Sequence, residues 1–344
     1  MIKGCKFGTH RVLQPIGSLP QGALKISNDM EIATNEILVD VKTLNIDSAS
    51  FTQIKEACQK DEIKMAEMIN SIVSERGKMQ NPVTGSGGML IGTVEKIGPD
   101  FPDKNLKVGD KIATLVSLSL TPLHINEIKK VNTSNDQVDV DAKAIVFESG
   151  LYAVLPSDIP EKLALAALDV AGAPAQVEKL VKEGDTVCII GGGGKSGVLC
   201  CYQAMKNVGP NGKVIVFEYS ESNAQRIRDL GLAHEVIVGD ATKPVEIYNT
   251  INEVTNGQLC DVVINNVNVQ GTEMSSILIT KDDGVVYFFS MATSFTKAAL
   301  GAEGVGKDVN MIVGNGYTKG HANLTLQIIR ESESIRQLFE KLYV

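Results

Sequence analysis

The hydrophobic rhythm of the chain changes once, near Pro160. Before that point apolar residues fall in short runs. Glu36–Ile46 ("EILVDVKTLNI") alternates apolar and polar positions in its first half, the period of a half-buried strand. Met89–Gly98, Gly109–Leu120 and Lys143–Pro156 have the same strand character. Phe51–Arg76 differs: helical spacing, strong helix formers and no Pro or Gly predict a helix there. After Pro160 the pattern becomes strand, helix, strand, helix. The apolar runs are Asp185–Ile190, Gly212–Glu218, Glu235–Asp240, Cys260–Asn266 and Gly284–Ser290. Amphipathic stretches such as Ser222–Gly231 and Val245–Gly257 separate them, and Ala322–Tyr343 reads as a closing helix. Unbroken Val/Ile strands alternating with helices imply a parallel sheet covered on both faces. The fold class expected is α/β, a β-rich first domain followed by a doubly wound parallel sheet.

The first of the buried strands runs into "CIIGGGGKSGVLC", Cys188–Cys200. Gly194-Lys195-Ser196 looks like the end of a triphosphate P-loop. That motif, G-x-x-x-x-G-K, needs a glycine where this chain has Ile189. It also needs an acidic strand end to hold magnesium, whereas the candidate strands end in Asn265 and Ser290. The dinucleotide reading keeps its parts. Gly192 permits the turn, Gly194 lets the backbone approach a pyrophosphate, and Gly197 lets the helix pack on the strand. Lys195 and Ser196 then fall in the first helical turn, where free N–H groups meet the anion. The next strand ends in Glu218, placed to accept from the adenosine ribose and repel a 2′-phosphate. NAD is the expected cofactor. Arg226 and Arg228 on the following helix leave tolerance of NADP open.

Composition narrows the partners. With 344 residues, 43% of them hydrophobic, the chain exceeds one small core, so two domains are expected. A net charge of −8 gives nucleic acid no electrostatic support. No apolar run is long enough to span a membrane, and the opening "MIKGCKFGTHRV" lacks a signal-peptide core, so a cytoplasmic setting is expected. Six cysteines without a CxxC pair argue for reduced packing thiols rather than structural zinc.

The order of pieces resembles the medium-chain dehydrogenase/reductase superfamily. "KVGDKIA" (Lys107–Ala113), the strand Glu36–Asp47, and Leu163–Gly194 carry the resemblance. It implies a GroES-like catalytic domain over 1–160, a Rossmann NAD-binding domain over 161–315, and a return of 316–344 to the catalytic domain. It also implies a homodimer or homotetramer. Zinc members place a Cys where this chain has Asp47, and a Gly-His-Glu motif where it has Gly85–Gly88. No Cys stands near Val170, and the structural-zinc run is missing. The resemblance therefore implies chemistry without zinc. Phe51–Arg76 is a further departure, expected to cover the mouth of the site. "GCKFGTHRV" (Gly4–Val12) and "GYTKGHANLTL" (Gly316–Leu326) resemble a zinc-free branch that deaminates a small diamino acid of lysine fermentation with NAD.

Such a reaction needs a base for the reacting amine and a group that pairs an ammonium. Asp47, Glu148 and Asp169 are the carboxylate candidates. Asp47 also reads as a helix cap, Glu148 as a solvated loop residue, and Asp169 as a salt-bridged helix residue. In the Gly316–Leu326 segment, His321 is a candidate proton relay, and Tyr317 and Lys319 are candidate substrate contacts. Lys319 would pair the substrate carboxylate. Around the nicotinamide, strand ends should contribute Asn265, Asn266 and Val267, then Ser290 and Met291, with Asn315 a weaker candidate. Competing readings are a zinc-free NADPH quinone or enoyl reductase, and a cofactor-binding protein without turnover.

Overall fold

A β-bulge explains why alternation along Glu36–Ile46 stops halfway. In the computed structural model, β3 (Ile37–Ile46) buries Ile37, Val39 and Val41, then Leu44 and Ile46, and its register shifts between Val41 and Thr43. One extra residue reverses the parity of every side chain after it. The structure describes residues 2–115, 117–290, 292–314 and 316–344. It divides into two units, Met1–Leu165 and Ala166–Val344.

In the first unit, β1 (Val12–Gln14) and β2 (Lys25–Ile26) form a small antiparallel pair. After β3 come helices α1 (Ser48–Ala57) and α2 (Glu62–Arg76). Strands β4 (Gly88–Ile97), β5 (Lys111–Thr114), β6 (Leu123–Asn132), β7 (Gln137–Val146) and β8 (Tyr152–Val154) follow. The sheet is antiparallel in the order β6-β7-β3-β4-β5-β8. The single helix expected over Phe51–Arg76 is two helices, because Gln59 and Lys60 between them adopt left-handed φ angles of 53° and 65°. Phe51, Ile54, Met65 and Ile69 are fully buried in the same core as β3 and β4. Removing them from that core would expose large apolar area, so the pair is built as a wall of the unit rather than a loose cover.

Helix α3 (Glu161–Leu168) leads to α4 (Gly172–Leu180) and the second sheet. Its strands and helices alternate: β9 (Thr186–Ile190), α5 (Lys195–Val208), β10 (Lys213–Glu218), α6 (Glu221–Leu230), β11 (Glu235–Val238), α7 (Pro244–Val254), β12 (Cys260–Asn265), α8 (Glu273–Leu278), β13 (Thr280–Phe288), α9 (Phe295–Val305) and β14 (Asn310–Val313). All neighbours are parallel, in the order β11-β10-β9-β12-β13-β14. Counted from β9, this is the 3-2-1-4-5-6 order of a dinucleotide-binding sheet. Its order reverses between β9 and β12.

The expected closing helix is also two, α10 (His321–Glu331) and α11 (Glu333–Tyr343), split at Ser332, whose side chain caps α11. The segment 316–344 lies with the second unit, whereas the sequence reading returned it to the first. Its apolar face explains the placement. Thr325, Leu326, Ile328 and Ile329 are buried, α10 packs on α4 and α5, and Thr325 Oγ1 donates to the Ala171 carbonyl at 3.4 Å.

Candidate functional site

The glycine turn after β9 lies at the reversal of strand order, where open parallel sheets hold ligands. Each glycine has a separate steric reason. Gly191, with φ +80°, supplies the left-handed step, a role the sequence reading gave to Gly192. At Gly192 a Cβ would lie 2.7 Å from Val216 and 3.0 Å from Cys201 Sγ. At Gly193 it would strike Asn223, and at Gly197 it would come within 2.1 Å of the Gly191 carbonyl. Gly194 is the exception: its nearest neighbour would be Gly191 O at 3.8 Å. The turn is therefore closed on its protein side and open at Gly194, where α5 begins with unpaired N–H groups at Lys195, Ser196 and Gly197. That cradle fits a dinucleotide pyrophosphate.

Glu218 ends β10 with only 5% of its surface exposed. Its Oε1 accepts from Gly193 N at 2.6 Å and its Oε2 from Tyr219 N at 3.1 Å. Arg226 Nη1 donates to the Gly193 carbonyl, so the Gly193 residue is gripped at both its N–H and its C=O. Arg228 is turned away, onto Glu221.

The strand-end candidates separate sharply. Asn265 is fully buried and consumed by the protein: Nδ2 donates to Thr272 and Ser276 at 2.9 Å each, and Oδ1 accepts from Val267 N at 3.0 Å. Its expected contact with a cofactor is not available to its side chain. The Asn266 side chain projects differently: its Nδ2 is buried and meets no acceptor, while Oδ1 faces Cys200 Sγ at 4.0 Å. Val267 packs against Gly191, and Ser290 Oγ accepts from Ala292 N at 3.1 Å. Met291 and Asn315 lie outside the described residues. The loops after β12 and β13, with the first turns of α8 and α9, border an open pocket of about 350 Å³ lined by Gln270, Glu273, Ala292, Thr293, Ser294 and Lys297.

Asp169 sits in the turn after α3, not within a helix, and its Oδ2 pairs with Lys195 Nζ at 3.0 Å. His321 opens α10 almost wholly buried, its ring edge-on to Tyr317 at 5.2 Å. Burial pushes its imidazole below the ordinary histidine range. Tyr317 is 40% exposed and Lys319 is exposed.

In the first unit, Asp47 caps α1: its Oδ1 accepts from Ser50 N at 3.1 Å. Its Oδ2 is buried and meets no donor. A desolvated carboxylate oxygen without a partner is costly, and is the chemistry that would receive an ammonium. The same Ser50 contacts Thr84 Oγ1 at 2.6 Å and Ser86 Oγ at 2.7 Å through its Oγ, a hydroxyl cluster that only scattered Ser and Thr mark along the chain. Glu148 is engaged elsewhere. Its Oε2 accepts from Asn35 Nδ2 at 2.8 Å, and Asn35 in turn holds Gly4. Among the described residues no three His, Cys, Asp or Glu side chains are grouped as metal ligands.

A β-rich antiparallel sheet followed by a 3-2-1-4-5-6 parallel sheet defines the medium-chain dehydrogenase/reductase fold, GroES-like plus Rossmann. The CurK enoyl reductase shares it at a TM-score of 0.54 and 17% identity, over 90% of this chain and 78% of that one. Sequence defines the family more closely. Residues 10–156 match the L-erythro-3,5-diaminohexanoate dehydrogenase N-terminal domain. L-erythro-3,5-diaminohexanoate dehydrogenase of Acetoanaerobium sticklandii is 63% identical over 344 residues, and that of Fusobacterium nucleatum 60% over 345, each covering 100% of both chains. The chain belongs to the L-erythro-3,5-diaminohexanoate dehydrogenase family.

Proposed function

We propose that this chain oxidises the C3 amine of (3S,5S)-3,5-diaminohexanoate with NAD, a step of lysine fermentation. The substrate ammonium ion, NAD and water give 5-amino-3-oxohexanoate, NADH, ammonium and a proton. The observation that carries the reading is full-length identity of 60% or more to dehydrogenases of that name, joined to a turn open at Gly194. The nicotinamide, when bound, supplies the hydride acceptor. The chain's own residues do the rest. N–H groups of Lys195, Ser196 and Gly197 receive the pyrophosphate, and the Glu218 carboxylate accepts from the adenosine ribose, which favours NAD over NADP. Asn266 Nδ2 donates to the cofactor from the end of β12.

Asp47 Oδ2 is the best-supported base among the three carboxylates, since Glu148 and Asp169 already have partners. It would pair the substrate ammonium, take its proton and later orient the attacking water. A carboxylate can do this without a metal. In this reading Lys319 pairs the substrate carboxylate and Tyr317 borders it, while His321 supports Tyr317 rather than relaying protons.

A homodimer or homotetramer is part of the same proposal. Edge strand β14 leaves Met311 and Val313 exposed, and α9 leaves Phe295, Leu300 and Val305 exposed, which supports a second copy at that edge. Five buried free thiols suit a reducing cytoplasm, and among the described residues no helix is long and apolar enough to cross a membrane.

The test mixes purified chain, NAD and (3S,5S)-3,5-diaminohexanoate and follows NADH absorbance and ammonia together. Equal amounts of both are expected. No NADH, with NADPH consumed on quinones or enoyl thioesters instead, would overturn the reading.

A further inference from the structure

Lys195 is an unexpected residue where it stands. It is the first residue of α5, where the helix dipole disfavours a cation. Two neighbours hold it there. Asp169 Oδ2 lies 3.0 Å from Nζ, and the ring of Tyr343 presents its face at 5.3 Å from Nζ to centroid. Both distances suit a held ammonium, an ion pair on one side and a cation–π contact on the other. Tyr343 is itself fixed: it is half-buried near the end of α11, edge-on to the fully buried Phe339 at 5.1 Å. Burial raises its hydroxyl above the ordinary tyrosine range, against the opposing charges of Arg226 and Lys195. Arg226 reaches the Gly193 carbonyl from the same neighbourhood. The two cations thus flank a glycine turn whose open point is Gly194.

We infer that Tyr343 and Asp169 are positioning residues that hold Lys195 as a side-chain ligand of the dinucleotide pyrophosphate. The inference rests on the cofactor reading above and extends it to α11, which no glycine motif marks. A lysine stem is flexible, and ordering it before the ligand arrives removes that cost from binding. A purely structural ion pair between the α3–α4 turn and α5 would need Asp169 but not the aromatic face. On this reading Asp169 acts through Lys195 and takes no proton from substrate.

The experiment uses the full chain and measures KM for NAD and kcat by turnover, and Kd for ADP-ribose and for adenosine by calorimetry. Tyr343→Ala should raise KM for NAD and Kd for ADP-ribose about fivefold, the scale of ordering one flexible side chain on binding, with kcat held within about twofold. The Kd of adenosine, which lacks phosphate, should not move. Tyr343→Phe keeps the ring face and should restore wild-type KM. Lys195→Ala should cost at least as much as Tyr343→Ala, and the double variant should be no worse than Lys195→Ala alone. Additive losses, failure of Phe to restore KM, or equal changes for ADP-ribose and adenosine would overturn the inference. If the unsubstituted chain binds neither NAD nor ADP-ribose, the cofactor reading fails first, a result separable from all of these.

Discussion

Replacing Glu218 tests the cofactor assignment most directly. Its carboxylate is 5% exposed, accepts from Gly193 N at 2.6 Å and Tyr219 N at 3.1 Å, and ends the strand beside the glycine turn. Hydrogen bonds to a charged group contribute about 1.5–3 kcal/mol each. Loss of a carboxylate contact to the ribose should therefore lower kcat/KM for NAD about 10- to 100-fold, since about 1.4 kcal/mol is tenfold. For NADP, removing the charge lifts a repulsion, and Arg226 stands on the adjacent helix to meet a 2′-phosphate. The NAD-to-NADP ratio in Glu218→Ala should fall by about two orders of magnitude, the sum of both effects. Glu218→Ala also strands the buried Gly193 N–H, so Tm must be followed. Glu218→Gln is the control, because its amide oxygen can keep that N–H while the charge is gone. Initial rates with each cofactor, at saturating diamino acid, give the ratio. A ratio within twofold of wild type in both variants would refute a ribose contact at this position.

Four further outcomes are expected. Asp47→Asn keeps an effective helix cap, so Tm should hold while kcat drops by about 10²–10⁴, the usual contribution of a general base; an unchanged kcat would remove Asp47 from the chemistry. Gly194→Ala should fold normally and bind NAD poorly, whereas Gly197→Ala, with a Cβ 2.1 Å from the Gly191 carbonyl, should lose stability; thermal melts beside NAD titrations separate the two, and normal NAD binding by Gly194→Ala would displace the pyrophosphate seat. Lys78 is fully buried, donates to the Pro20 carbonyl at 2.6 Å, and burial lowers its ammonium from 10.5 to about 8. Between those values the unfolded chain holds more protons, so stability should rise with pH across about 8–10.5, by of order 3 kcal/mol at about 1.4 kcal/mol per unit, and urea melts of Lys78→Met should lack that rise. Dialysis against a chelator should leave turnover unchanged and elemental analysis should find no stoichiometric zinc; a loss of rate restored by zinc would contradict the carboxylate mechanism.

The second sheet was readable from sequence because strands buried on both faces leave unbroken apolar runs: β9, β10 and β12 each show one. Two of the edge strands, β6 and β14, leave no such mark. β6 exposes Glu127, Lys129 and Lys130, and β14 is four residues long and largely exposed, so neither has a legible period. The break between α1 and α2 was equally hidden, since Gln59 and Lys60 are ordinary helix formers that here take left-handed backbone. Within the site, spacing pointed to the glycines and Glu218 but misassigned the left-handed step, because four consecutive glycines look alike until the backbone is seen. Asn265 and Asn266 are likewise indistinguishable in sequence. Strand parity alone sends one side chain into Thr272 and Ser276 and leaves the other with an unpaired donor. The partners of Asp169 and Glu148 are Lys195 and Asn35, far away along the chain, and only the tertiary fold joins them.

The double grip on Gly193 has a consequence for how cofactor preference can change in this fold. Glu218 takes its N–H and Arg226 its C=O, so the two peptide groups on either side of one glycine are tied, one to the proposed ribose reader and the other to the nearest cation. A single change that admits a 2′-phosphate by removing the carboxylate also frees a buried N–H beside the pyrophosphate cradle, and recruiting Arg226 to the new phosphate frees the carbonyl. Each step toward NADP therefore loosens the turn that binds either dinucleotide. Preference should shift without a loss of overall affinity only where position 218 keeps an acceptor and another residue replaces Arg226 on the Gly193 carbonyl. The pairing makes selectivity and turn geometry one property of the site rather than two, and an NADP-directed variant built on Glu218 alone should improve its ratio mainly by losing NAD.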